Sequence, residues 1–268
     1  MLLALDIGNT NVTIGVFDGE RIGATWRLAT DVHRQADEYA LQLKNILPMK
    51  GVAVDAIDGI VLCSVVPPLT VVFEDACSFL FDIQPLVVGT GTRTGVRVRY
   101  DNPRDVGADR VADAAAAYHL YGGPCIVVDF GTATVLDAIS ADGEYLGGAI
   151  APGLRVSAES LYAATSQLRR VELIAPPTAI GKNTAHSIQS GLIFGYTGMI
   201  EHMVNLYRQE MNAPDATVVA TGGLAPTIAE QTAIFTHMNL DLTLQGLQLI
   251  FDLNAEQSQA TEASGSVT

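Results

Sequence analysis

Six residues near the start of the chain, Asp6-Ile7-Gly8-Asn9-Thr10-Asn11, combine a carboxylate, a glycine and short neutral donors directly after the apolar run Met1-Leu2-Leu3-Ala4-Leu5. In such a turn the glycine admits backbone N–H groups close to an anion, while hydroxyls and amides add uncharged donors. The carboxylate takes a cation or its water shell. That is chemistry for a metal-bound phosphate. A second segment, Asp129-Phe130-Gly131-Thr132-Ala133-Thr134, repeats the theme after Cys125-Ile126-Val127-Val128. One Asp-x-Gly turn joins strands in many proteins, but two in matching surroundings point to a duplicated, two-lobe protein that clamps a nucleotide between its halves. Thr221-Gly222-Gly223, after another apolar run, offers a further close backbone approach suited to the adenosine end.

These turns depend on a framework, and composition says what kind. The 268 residues are 49% hydrophobic and 16% charged, the balance of a globular chain with length enough for a sizeable core. No apolar run approaches the roughly 18 residues of a membrane span. The N-terminus enters a strand pattern without a basic leader, so the expectation is a cytoplasmic protein with no membrane partner. A net charge of −14 argues against nucleic acid. It also sets a problem for a polyphosphate ligand. The lysines are Lys44, Lys50 and Lys182, and neither acid-glycine turn contains a basic residue. Metal ions and backbone N–H groups must therefore offset the phosphate charge. Cys63, Cys77 and Cys125 are odd in number, far apart and in apolar surroundings, which reads as buried reduced thiols. The five histidines show no metal-ligand spacing.

Periodicity supplies the elements. Strands are expected at Leu2–Ile7, Val12–Phe17 and Ile22–Leu28, with Asp18-Gly19 turning the second into the third. A helix over 35–47 stops before Pro48, and a strand at Gly59–Val66, a helix at about 69–81 and a strand at Pro85–Val88 follow. After a glycine- and arginine-rich loop with an extended piece near Arg97–Tyr100, a helix runs from about Gly107 through Leu120. Strands at 124–129, Thr134–Ile139 and Tyr145–Ile150 then repeat the opening. Helices are expected at about 155–164, 185–211 and 242–253, with a strand at Ala216–Ala220. The division is a first lobe over 1–120, a second over 121–254, and a tail over 255–268 with the composition of a disordered segment.

The ordered set of motifs resembles the type III pantothenate kinase family of the actin-like ATPase superfamily. It comprises the two acid-glycine segments, Tyr100-Asp101-Asn102-Pro103, Gly107-Ala108-Asp109-Arg110, Gly181-Lys182-Asn183-Thr184 and Thr221-Gly222-Gly223. The resemblance extends from residue 1 to about 253. It implies an α/β fold of two tandem actin-like (ribonuclease H-like) lobes with the nucleotide in the cleft between them. It implies ATP-dependent phosphorylation of pantothenate to 4'-phosphopantothenate, the first step of coenzyme A biosynthesis, by a homodimer. Asp6, Ile7, Gly8, Asn9, Thr10, Asn11, Val12, Thr13 and Thr132 then belong to the ATP site, with Mg²⁺ near Asp6. Asp129 is implied to ligate a monovalent cation, K⁺ or NH4⁺. Tyr100, Gly107, Ala108, Asp109, Arg110 and Thr184 are implied to hold pantothenate, with Asp109 as catalytic base. The alternatives are a kinase for another small hydroxy acid, or a non-catalytic nucleotide-binding regulator of the same fold.

Several of these residues have plainer readings. Asp109 suits the first turn of a helix, where it complements the dipole and where a lowered pKa is expected. Thr184 stands where an N-cap belongs. Tyr100 reads equally as a core aromatic, and Arg110 as a solvated cation. Gly191, Gly195 and Gly198 lie mostly on one side of a long helix, for internal packing or for the implied dimer. Two positions depart from the family pattern, Val135 for a threonine and Asp113 for an asparagine. The second places a negative charge one turn from Asp109, where it is expected to raise that acid's pKa. Other nucleotide motifs fail: Gly89-Thr90-Gly91-Thr92-Arg93-Thr94-Gly95 has one residue too many for a dinucleotide fingerprint, and Gly181-Lys182 is followed by Asn183 rather than Ser or Thr.

Overall fold

A computed structural model describes the backbone of residues 1–265 and the side chains through residue 255. Contacts divide it into two compact units, Met1–Ala116 together with Leu242 onward, and Ala117–Asp241. The first opens with β1 (Leu2–Ile7), β2 (Asn11–Asp18) and β3 (Arg21–Ala29), followed by α1 (Ala36–Ile46), β4 (Gly59–Ser64), α2 (Pro67–Phe81), the short β5 (Leu86–Val87) and the two-residue β6 (Arg97–Val98). Its sheet runs β3-β2-β1-β4-β5, with β1, β2 and β3 antiparallel and β1, β4 and β5 parallel. Helix α3 (Ala108–Tyr121) leads to the second unit.

That unit contains β7 (Cys125–Phe130), β8 (Ala133–Ile139), β9 (Glu144–Pro152), α4 (Leu154–Ala163), α5 (Thr184–Glu210), β10 (Thr217–Thr221), α6 (Ala225–Ala229) and β11 (His237–Met238). Its strands follow the order β9-β8-β7-β10-β11, again three antiparallel and then parallel neighbours. The duplication suggested by two short turns is thus a duplication of sheet topology. Among the described residues no helix is long and apolar enough to cross a membrane.

The period of two along β1 decides where chemistry can sit. Leu3, Leu5 and Ile7 pack with Tyr39 of α1 and Phe73 of α2 in one core. Leu2 and Ala4 point to the opposite face, where they meet Val61 and Cys63 of β4, Ala112 of α3, and Leu244, Leu247 and Ile250 of the last helix. Asp6 continues the Leu2-Ala4 face. In the second unit Phe130, Leu136 and Leu154 join Ile193 and Ile200 of α5 in the main core.

Two expectations change. Helix α7 (Leu242–Gly265) belongs to the first unit, not to a second lobe ending at 254. Its apolar stripe is complementary to the second face of the first sheet, so burial of Leu244, Leu247 and Ile250 carries it back. The helix also continues through 255–265, where a disordered tail was expected; 266–268 lie outside the described residues. The small elements α6 and β11 are too short for a periodic signal and were not anticipated.

Helix α7 can be tested as core rather than appendage. Leu247 is fully buried. Leu247→Ala is expected to lower unfolding stability by roughly 2–5 kcal/mol, measured by urea titration; a change near zero would contradict the packing described.

Candidate active site

In the first unit the β1–β2 turn is closed by Gly8 N–H donating to the Asn11 carbonyl at 3.0 Å. Thr30, just past β3, holds it from the side: its hydroxyl donates to the Gly8 carbonyl at 2.6 Å and its N–H to the Thr10 carbonyl at 3.0 Å. Asn9, Thr10 and Asn11 are exposed, available to a ligand. Ile7 and Val12 are buried in the core, so their side chains serve the fold and only their backbone can face a nucleotide. Thr13 is half-buried opposite Asp6.

Three acids converge on the second face of this sheet. Asp6 sits at the end of β1, and Asp109 and Asp113 come from the first turns of α3. Burial pushes the Asp6 carboxyl up from 3.8 to about 7; the charge of Asp109 adds to this, and a hydrogen bond from the Cys63 thiol, 3.5 Å from Oδ1, opposes it. Asp109 is also raised, by burial above all, against the Arg110 N–H and the Arg110 charge. Sequence reasoning expected the helix N-terminus to lower this pKa; desolvation outweighs it. Nor is Asp113 among the causes. It is buried and accepts the Thr243 hydroxyl at 2.7 Å, a tie to α7.

The Gly107-Ala108-Asp109-Arg110 geometry is specific. Asp109 Oδ1 folds back over the turn and accepts the Arg110 N–H at 2.8 Å. A Cβ on Gly107 would collide with that oxygen and press on Val65, so only glycine lets the carboxylate take this position. Arg110 is buried, not the solvated cation of the plain reading. Tyr100 is half-buried.

The second unit holds its own acid-glycine turn, one residue shorter than the first. Pairing of Ile7 with Val12 leaves Gly8, Asn9, Thr10 and Asn11 in the first turn; pairing of Phe130 with Thr134 leaves only Gly131, Thr132 and Ala133. Asp129 lies opposite Thr221 in the β7–β10 pair. Its Oδ2 packs on Gly131, and a Cβ on Gly222, which has φ +86°, would strike Oδ1. The Thr221-Gly222-Gly223 turn is thereby joined to Asp129. Thr132 is exposed in the turn, whereas Thr134 is fully buried and its hydroxyl has no hydrogen-bond partner among the described residues. Gly153, at the start of α4, donates its N–H to the Thr132 carbonyl at 3.1 Å.

At α5 the N-cap is Asn183, whose side chain accepts the His186 N–H at 2.9 Å. Thr184 is instead the first helical residue and is exposed, so the capping role assigned to it falls away. Sequence reasoning missed Cys63, Thr30 and Gly153 as parts of these sites. Nothing in their own neighbourhoods marks them, since each acts through a segment distant in the chain.

Among the described residues no group of three or more His, Cys, Asp or Glu side chains could enclose a metal. Mg²⁺ bound with a nucleotide needs no such cage, because it keeps waters and takes one or two carboxylates plus phosphate oxygens. Asp6 with its raised pKa, beside the charge of Asp109, is a site short of positive charge, and the donor set fits that ion.

Repeated mixed sheets with acid-glycine turns define a phosphotransferase of the actin-like kinase fold. Solved structures agree on that fold: a Campylobacter jejuni protein described as a Baf family transcriptional activator matches at TM-score 0.64 and 19% identity, covering 95% of this chain and 99% of that one. The ROK hexokinase of Thermus thermophilus matches at TM-score 0.50 and 14% identity, covering 95% and 99%. The model of the type III pantothenate kinase family matches residues 2–206. A type III pantothenate kinase of Roseiflexus sp. (strain RS-1) is 50% identical over 254 residues, 95% of this chain and 99% of its own. One from Moorella thermoacetica is 47% identical over 254 residues, 95% and 100%. The chain belongs to the type III pantothenate kinase family.

Linkage gives the site a measurable signature. A carboxyl raised on folding binds more protons in the folded than in the unfolded chain, so its contribution is full below pH 3.8 and is lost as pH rises through about 7. Without nucleotide and metal, Asp6→Asn is therefore expected to exceed the parent in stability by on the order of 2–4 kcal/mol at pH 8. The gain should vanish near pH 4. Parallel urea titrations at both pH values read it, and equal gains at both would contradict the burial argument.

Proposed function

We propose that Asp109 is the base in the reaction of this family, in which the chain phosphorylates pantothenate with ATP in coenzyme A biosynthesis. The observation that carries the assignment is the half-buried Asp109 carboxylate, tied by Oδ1 to the start of α3 and raised in pKa. Phosphoryl transfer passes through a loose transition state in which the attacking hydroxyl gives up its proton late, so positioning matters most. Desolvation makes this carboxylate a better acceptor than its helix-start position alone suggests. Tyr100, the Gly107-Ala108 backbone, Arg110 and Thr184 hold pantothenate, Arg110 being suited to its carboxylate in a bidentate pair.

Asp6 through Thr13 and Thr132 hold the triphosphate through backbone N–H groups and the exposed Asn9, Thr10, Asn11 and Thr132 side chains. Mg²⁺ near Asp6 supplies charge neutralisation of the phosphates. A monovalent cation, K⁺ or NH4⁺, is held by Asp129, whose two oxygens lie close to the Cβ-free positions of Gly131 and Gly222. Gly191, Gly195 and Gly198 of α5 have open space where a Cβ would stand, which favours a homodimer packed through this helix over internal packing. The reaction is placed in the cytoplasm.

Pantothenate-dependent ADP release tests the reading. Asp109→Asn is expected to reduce kcat by about 10²–10⁴-fold. Replacing K⁺ by Na⁺, or Asp129 by Asn, is expected to raise the KM for ATP about tenfold, equivalent to about 1.4 kcal/mol. Nucleotide binding without pantothenate-dependent turnover in the parent chain would instead return the non-catalytic reading. Thr184→Val separates substrate contact from capping: a raised pantothenate KM at unchanged Tm is expected, whereas Asn183→Ala should cost about 1 kcal/mol of stability. A lowered Tm in Thr184→Val with unchanged KM would reverse that assignment.

A further inference from the structure

Cys63 stands directly across from Asp6 in the parallel β1–β4 pair, on the sheet face that carries the three acids. Its side chain is fully buried and unoxidised, and its Sγ lies 3.5 Å from Asp6 Oδ1, within hydrogen-bonding range for sulfur. The thiol is the donor of this pair and the Asp6 carboxyl its acceptor. A buried strand cysteine commonly acts as a small apolar filler. Here Ala4 and Val61 already supply apolar neighbours on the same face, and a filler accounts for the volume but not for a donor set opposite a carboxylate.

We propose that Cys63 is a positioning residue of the nucleotide site, its S–H holding Asp6 Oδ1 against β4 so that Oδ2 is presented to the hydrated metal and phosphates. This rests on the reading of Asp6 as the acid of the ATP–magnesium site. A thiol suits the task because S–H is a weak donor. It fixes the orientation of the carboxylate while withdrawing little of the charge that attracts the cation. Packing alone sets Asp6 at the end of β1, and the thiol selects one orientation of its carboxyl group.

The test uses the full chain and Mg·ADP as probe, with binding measured by calorimetry and stability by thermal unfolding. Cys63→Ala is expected to weaken Mg·ADP binding about five- to tenfold and to raise the KM for ATP by a similar factor. Cys63→Ser, which keeps a donor at that position, is expected to bind within about twofold of the parent. In an Asp6→Asn background, Cys63→Ala should cause no further loss, since the acceptor it serves has been altered. A merely structural cysteine predicts otherwise: equal losses in the Ala and Ser variants, or the same loss with and without Asp6. Either result overturns the proposal, as does parent-like binding by Cys63→Ala. Should Cys63→Ala fail to fold, Cys63→Val fills the space without a donor, and its comparison with Cys63→Ser decides on the same criteria. Parent-like binding by Asp6→Asn would remove the reading of Asp6 itself. Strong loss there with none in Cys63→Ala removes only the role of Cys63.

Discussion

Two neighbouring carboxylates on a desolvated sheet face, Asp6 and Asp109, are the constraint around which the first unit is organised. Each is raised in pKa chiefly by burial, and the charge of Asp109 adds to the effect on Asp6. A fold selected for stability alone would place apolar residues there, as it does at Leu2 and Ala4 on the same face. Retaining acids costs stability at neutral pH, and the surrounding donors moderate that cost. The Cys63 thiol donates to Asp6, the Arg110 N–H to Asp109, and the Thr243 hydroxyl to Asp113. Local destabilisation relieved by ligand is a familiar condition of functional sites.

Duplicated topology does not mean duplicated chemistry. Both units run three antiparallel strands into parallel neighbours, and both end the first strand in Asp-x-Gly. The first turn is longer, exposes Asn9, Thr10 and Asn11, and is held by Thr30. The second is tighter, and Asp129 is wedged between Gly131 and Gly222. Loop length and Cβ-free backbone thus make two different turns from one topology.

Much of the framework was legible from residue pattern. The apolar runs of β1 and β7 and the patterns of β2 and β8 marked the strands, and the boundaries of α1, α3, α4 and α5 fell within a residue or two of expectation. The acid-glycine turns and the Gly107-Ala108-Asp109-Arg110 helix start were visible because their chemistry is carried by contiguous residues. Helix α7 was legible as a helix but not as part of the first unit, since its apolar stripe does not say which surface it will cover. Thr184 was the expected N-cap of α5, and only backbone geometry shows that its neighbour Asn183 takes that place.

The sequence by itself determined which groups exist to do chemistry and where the turns fall, because these follow from residue type and local pattern. Only the tertiary structure decided that Asp109 is raised rather than lowered, that the Cys63 thiol donates to Asp6, and that Gly222 lies against Asp129. The physical reason is common to all three. Desolvation and hydrogen bonding depend on which distant segments are brought within a few ångströms, and in a short window of sequence the helix dipole is visible while the burial that overrides it is not.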